Sequence, residues 1–86
     1  MYQEKNELKQ AKDYFEQALS GYEAFGDQHG KTICLVSLGY LHQVMGNPVE
    51  AKSFLLQAYK IATKNNYDDQ LTRLKLLDID IEELLQ

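Results

Sequence analysis

Apolar residues return every three or four positions along nearly the whole chain, and nowhere do they alternate. That spacing places them on one face of an α-helix rather than of a strand. Leu8, Ala11, Phe15, Ala18, Leu19, Tyr22 and Phe25 form a first stripe. Ile33, Val36, Tyr40 and Val44 form a second, widened by Leu35, Leu38, Leu41 and Met45. A third runs through Val49, Phe54, Leu55, Ala58, Ile61 and Ala62, and a fourth through Leu71, Leu74, Leu77, Ile81, Leu84 and Leu85. Each spans three turns or more, enough to cover one side of a core. The pattern predicts about four helices and no strand.

The residues between the stripes read as helix ends. Asn47-Pro48-Val49-Glu50 is the clearest start signal. Asn47 is placed to cap free N–H groups, Pro48 suits a first helical position that needs no N–H, and Glu50 faces the positive end of the dipole. Gly46 suits a left-handed helix end. Asn6-Glu7 is a weaker start for the first full helix. Gly26-Asp27-Gln28-His29-Gly30 separates the first helix from the second. Asn65-Asn66-Tyr67-Asp68 separates the third from the fourth, with Asp68 or Asp69 as its cap. Links this short make consecutive helices antiparallel.

The chain also matches itself at an offset of 40 residues. Ala11-Lys12 falls on Ala51-Lys52, Gln17-Ala18 on Gln57-Ala58, and Thr32 on Thr72. Tyr14 meets Phe54, Phe15 meets Leu55, and the loops align, with Gly26 opposite Asn66. A two-helix period in this range marks a helical solenoid. Gly39 and Ala51 let the helices of one hairpin approach closely, and Ala58 does the same for the next hairpin. Leu35, Leu38, Phe54 and Leu55 fill the space around them.

The series Leu35, Leu38-Gly39, Gly46, Ala51, Leu55 and Ala58 resembles a tetratricopeptide repeat. Ala11, Phe15 and Ala18 resemble the second helix of an earlier unit, and Tyr2 stands 40 residues before His42, where the family often has an aromatic. The usual period is about 34 residues. The longer one here resembles the subgroup with extended helices found in cell-polarity adaptors and bacterial peptide-sensing regulators. The resemblance implies an all-α fold, with antiparallel helix-turn-helix repeats in a short right-handed superhelix. Residues 1–30 would then be a half repeat, 31–66 a complete repeat and 67–86 a terminal capping helix.

In that family the first helices line a concave face that holds a peptide or a partner helix. The resemblance therefore points to Ile33, Val36, Tyr40, Gln43 and Val44 as groove residues, and to Arg73, Leu76, Asp80 and Glu83 on the last helix. The same residues could equally be packing against neighbouring helices. The subtype that clamps a terminal carboxylate is set aside, because Val36 and Tyr40 stand where it carries Lys and Asn. The first helix has no earlier unit to pack on, so it should expose apolar surface at Tyr14, Phe15 and Tyr22. Self-association or domain swapping would cover it.

Composition narrows the chemistry. With 86 residues and a net charge of -4, the chain is one small acidic domain or a piece of a larger one. An acidic chain is a poor nucleic-acid binder. Residues 31–64 do carry four lysines (Lys31, Lys52, Lys60 and Lys64) against one acid, between acidic flanks. This middle reads first as solvated helix faces, and second as a weakly basic surface that orients a partner. Cys34 is the lone cysteine, which excludes a disulfide-stapled fold and reads as a small core residue. No signal peptide or spanning segment is present in the pattern, which points to a cytoplasmic protein.

His29 and His42 have no ligand-spaced partners, so no metal or other cofactor is expected. The acid pairs Asp68-Asp69, Asp78/Asp80 and Glu82-Glu83 lie on diverging helix positions and read as capping and solvation. No catalytic signature remains. The expectation is a non-catalytic module that binds a protein or peptide and self-associates, without nucleic acid or membrane. The alternative is a peptide-sensing regulatory segment of a larger signalling or transcription protein.

Overall fold

The computed structural model describes residues 4–77, with side chains from residue 7 onward. These residues form four helices and no strand: α1 (Glu4–Phe25), α2 (Gln28–Val44), α3 (Pro48–Asn65) and α4 (Asp68–Leu76). The most extensive packing is α2 on α3, followed by α1 on α2, then α4 on α3 and α2. Expectations for Tyr2, Asp78, Asp80, Ile81, Glu82, Glu83, Leu84 and Leu85 lie outside the described residues.

One device ends each of the first three helices. Gly26, Gly46 and Asn66 take the left-handed conformation, with φ of 72°, 82° and 57°. Behind each, the next N–H reaches back to a carbonyl of the last turn: Asp27 to Tyr22, Asn47 to His42 and Tyr67 to Ala62, at 2.8–2.9 Å. This satisfies carbonyls that the helix itself cannot, and it turns the chain sharply. The three left-handed residues fall at a constant interval of twenty residues, half the sequence repeat.

The helix starts differ from the sequence expectation. Asp27 caps α2, accepting from the Gly30 N–H at 3.0 Å. The helix thus begins at Gln28 and absorbs His29 and Gly30, which the sequence pattern left in a loop. Asn47 makes no side-chain cap; its amide instead donates to His42 Nδ1 at 3.2 Å. Pro48 and Glu50 do occupy the first turn of α3 as expected. Tyr67 precedes α4, while Asp68 and Asp69 sit inside its first turn, where their charge opposes the helix dipole. Helix α1 starts at Glu4, ahead of the expected Asn6-Glu7 signal.

The core lies between α2, α3 and α4. Leu35, Val36, Leu55, Ala58 and Leu74 form its centre, with Leu19, Phe54, Tyr59 and Leu71 packed around them. Each fully buried leucine contributes up to about 1.5–3 kcal/mol by leaving water. Gly39 makes the close approach expected of it: a Cβ there would stand 2.5 Å from Leu55 Cδ2 and 3.4 Å from the Ala51 carbonyl oxygen. Gly30 makes a second close approach, against the Tyr22 ring, and joins α1 to α2. His42 is buried and stacks on Phe54, with ring centroids 5.3 Å apart, so an imidazole fills an aromatic slot. Val49, expected on the buried stripe of α3, is exposed because it lies in the first turn, ahead of the α2 contact at Ala51.

Candidate peptide-binding face

Helices α2 and α4 run in the same direction and are tied side by side by polar contacts. His29 and Asp69, 40 residues apart, meet at 2.8 Å near the two helix starts. The His29 ring also stands edge-on to Tyr67, with centroids 4.8 Å apart. Gln70 donates to the same Asp69 oxygen at 3.0 Å. These hydrogen bonds, from Gln70 and then from His29, hold the Asp69 carboxyl below its ordinary value. Further along, Arg73 donates to Gln70 Oε1 at 3.1 Å and crosses to Ser37 Oγ at 3.3 Å.

These ties place the residues one turn further on. Tyr40 follows Ser37 and Leu76 follows Arg73, at 47 % and 78 % exposure. Gln43 and Val44 continue the exposed row on α2. Tyr40, Gln43 and Val44 on α2 and Leu76 on α4 are thus each exposed, beyond the Ser37–Arg73 contact, while Ile33 and Arg73 are half-buried. Val36 is a correction: it has no exposed surface and belongs to the core with Leu55, Ala58 and Leu74. Helical spacing put it on one stripe with Tyr40, but α4 packs over that stretch of α2 and seals it. Asp80 lies outside the described residues.

The remaining chemistry-bearing groups are accounted for by packing. Cys34 is buried, and loss of water pushes its thiol above its ordinary value, away from the reactive thiolate. Lys31 pairs with Glu23 at 3.4 Å. Lys60 and Lys64 line a shallow cavity of about 340 Å³ with Gln28, Ile61 and Asn65. Among the described residues no group of His, Cys, Asp and Glu is placed to hold a metal ion. Among them, too, no helix is long and apolar enough to cross a membrane.

The sequence pattern missed the contacts that carry the α2–α4 geometry. Its offset of 40 does place His29 on Asp69, but a histidine facing an acid one repeat later is not a motif. Ser37–Arg73 lies 36 residues apart and has no signal at all.

No curated protein and no solved structure matches the chain. A tetratricopeptide repeat family model matches residues 1–64, which takes in α1, α2 and nearly all of α3. With antiparallel helices, close approaches at Gly39 and Ala51, and a buried Ala58 between successive hairpins, the chain belongs to the tetratricopeptide repeat family.

Proposed function

We propose that this protein is a non-catalytic interaction module that binds a peptide or a partner helix along α2 and α4. Tetratricopeptide repeats generally mediate protein–protein interaction. The observation that carries the finer reading is the exposed set Tyr40, Gln43, Val44 and Leu76 above a closed core. An aromatic ring, an amide and two aliphatic side chains suit an amphipathic helix or an extended apolar peptide. Ile33 and Arg73 border this set, and Arg73 is held in place by Gln70 and Ser37. Residues 31–66 act as the complete repeat, residues 1–30 as a half repeat before it, and α4 as the start of the capping helix. A single buried thiol at Cys34 supports a reducing, cytoplasmic setting.

Selection from a displayed peptide library, followed by titration of the selected peptide, tests this. Tyr40→Ala should weaken binding at least tenfold while changing unfolding stability by less than about 0.5 kcal/mol, as befits an exposed side chain. Loss of stability without selective loss of binding would return Tyr40 to the core. A second reading, self-association through α1, is favoured by Tyr14 and Phe25, which are 66 % and 90 % exposed.

A further inference from the structure

We infer that the bound peptide carries an internal Asp or Glu, whose carboxylate pairs with the guanidinium of Arg73 where α4 meets α2. This deepens the peptide-binding reading and rests on it.

Arg73 is the only arginine of the chain. Its head group is always charged, with N–H donors fanned in one plane and no acceptor of its own. Two neutral side chains hold it. Gln70 Oε1 accepts from Nη1 at 3.1 Å, and Ser37 Oγ accepts from Nη2 at 3.3 Å. Both holders are buried, at 4 % and 9 % exposure, and Arg73 itself is half-buried. The cation is therefore fixed in orientation from both helices.

Its charge is left unanswered. Among the described residues Arg73 enters no ion pair. Asp69, one turn back, is occupied: His29 and Gln70 both donate to its Oδ2. Gln70 thus stands between the two charges, donating to one and accepting from the other. Beyond Asp69 the acids stop. The chain has thirteen, yet α2 carries none and α4 has none after Asp69, while α3 has only Glu50, in its first turn. A guanidinium half removed from water, with only neutral partners, gains from a carboxylate supplied from outside. Because Gln70 and Ser37 already order the side chain, little further freedom is lost on pairing.

The position also says which carboxylate. Ser37 lies midway along α2, with Ile33 one turn before it and exposed Tyr40 one turn after; exposed Leu76 follows Arg73 by one turn. A peptide lying along the two helices passes Arg73 in mid-course, with an apolar residue about one turn further on for Tyr40 and Leu76. A planar fork matches one side-chain carboxylate. A chain terminus is the poorer guest, since Val36 and Tyr40 replace the lysine and asparagine that would share it.

Titration of the protein with peptides selected from a displayed random library tests this. The selected peptides should share an acidic residue. Changing that residue to its amide should weaken binding at least about fivefold, whereas amidating the peptide C-terminus should leave affinity unchanged. Arg73→Gln should bind the acid and amide peptides within about twofold of each other. That variant also strips Gln70 and Ser37 of a partner, so a readout on the unaltered protein stands beside it. One arginine gives one Arg Nε–H resonance, which should move further downfield with the acid peptide than with its amide. Peptides selected without an acid overturn the carboxylate assignment and leave peptide binding standing. So does an acid whose loss changes neither affinity nor the Nε–H resonance, one worth as much against Arg73→Gln, or affinity lost on C-terminal amidation. Failure to select any peptide overturns both readings.

Discussion

Helices α1 and α3 align at an offset of 40 residues, alanine on alanine and bulky residue on bulky residue, and meet different fates. Ala51, Leu55 and Ala58 are buried against α2, and Phe54 stacks on His42. Their counterparts Ala11, Phe15 and Ala18 are only half-buried, and Tyr14 projects into solvent with its ring edge-on to Phe15. The sequence of a second helix therefore does not by itself make a core. It makes one when a first helix with a Gly39 and flanking leucines lies against it. In α1 the corresponding alanines stay half-buried.

The contrast predicts paired mutations with unequal outcomes. The largest difference is expected for truncation of the bulky residue. Leu55→Ala should cost about 3 kcal/mol in urea unfolding, while Phe15→Ala should cost about 1 kcal/mol in the dilute protein. Equal costs would mean that α1 is covered after all. Enlarging the small residues comes next. Ala58→Leu overpacks a fully closed site by about 1–3 kcal/mol, and Ala18→Leu should be nearly neutral.

The glycines sharpen the comparison by a change of sign. Gly39→Ala drives a methyl into Leu55, which is itself buried and cannot yield, so stability should fall by about 1–3 kcal/mol. Gly21→Ala meets nothing within one copy and should raise the thermal stability of dilute protein by about 0.5–1 kcal/mol. A smaller effect separates the helix starts: Asp27→Ala should cost about 1 kcal/mol through the lost cap on α2.

The smallest effect concerns pH and the α2–α4 tie. The Asp69 carboxyl titrates below its reference value of 3.8, so it is deprotonated more readily in the folded state. Its stabilising contribution is present above that reference and is lost as pH falls through the folded value. Asp69→Asn should flatten the dependence of thermal unfolding on pH below 4, and an unchanged acid limb would remove Asp69 from the tie.

Most of the fold was legible in the sequence, because it depends on local signals. Stripe spacing gave four helices, and Gly26, Gly46 and Asn66 marked their ends, since a left-handed residue there is a backbone requirement. The family followed from Leu38-Gly39, Ala51 and Ala58, whose size matters more than their chemistry. Asn47, Asp68 and Asp69 were misread, because a polar side chain near a helix start has several partners within reach and only tertiary geometry decides among them. The binding face was half legible. Helical spacing lists Val36 and Tyr40 together, and whether α4 reaches far enough to cover one and not the other depends on contacts such as Ser37–Arg73 that no pattern encodes.

The twenty-residue cadence of Gly26, Gly46 and Asn66 limits how such a chain can change. Adding one residue inside a helix turns everything beyond it by about 100°. That would pull His29 from Asp69 and Gly39 from Leu55 together. Lengthening therefore succeeds by copying a whole hairpin, which leaves every such meeting intact. The inheritable unit of this architecture is the hairpin, and a lineage built on it grows by duplication far more readily than by insertion.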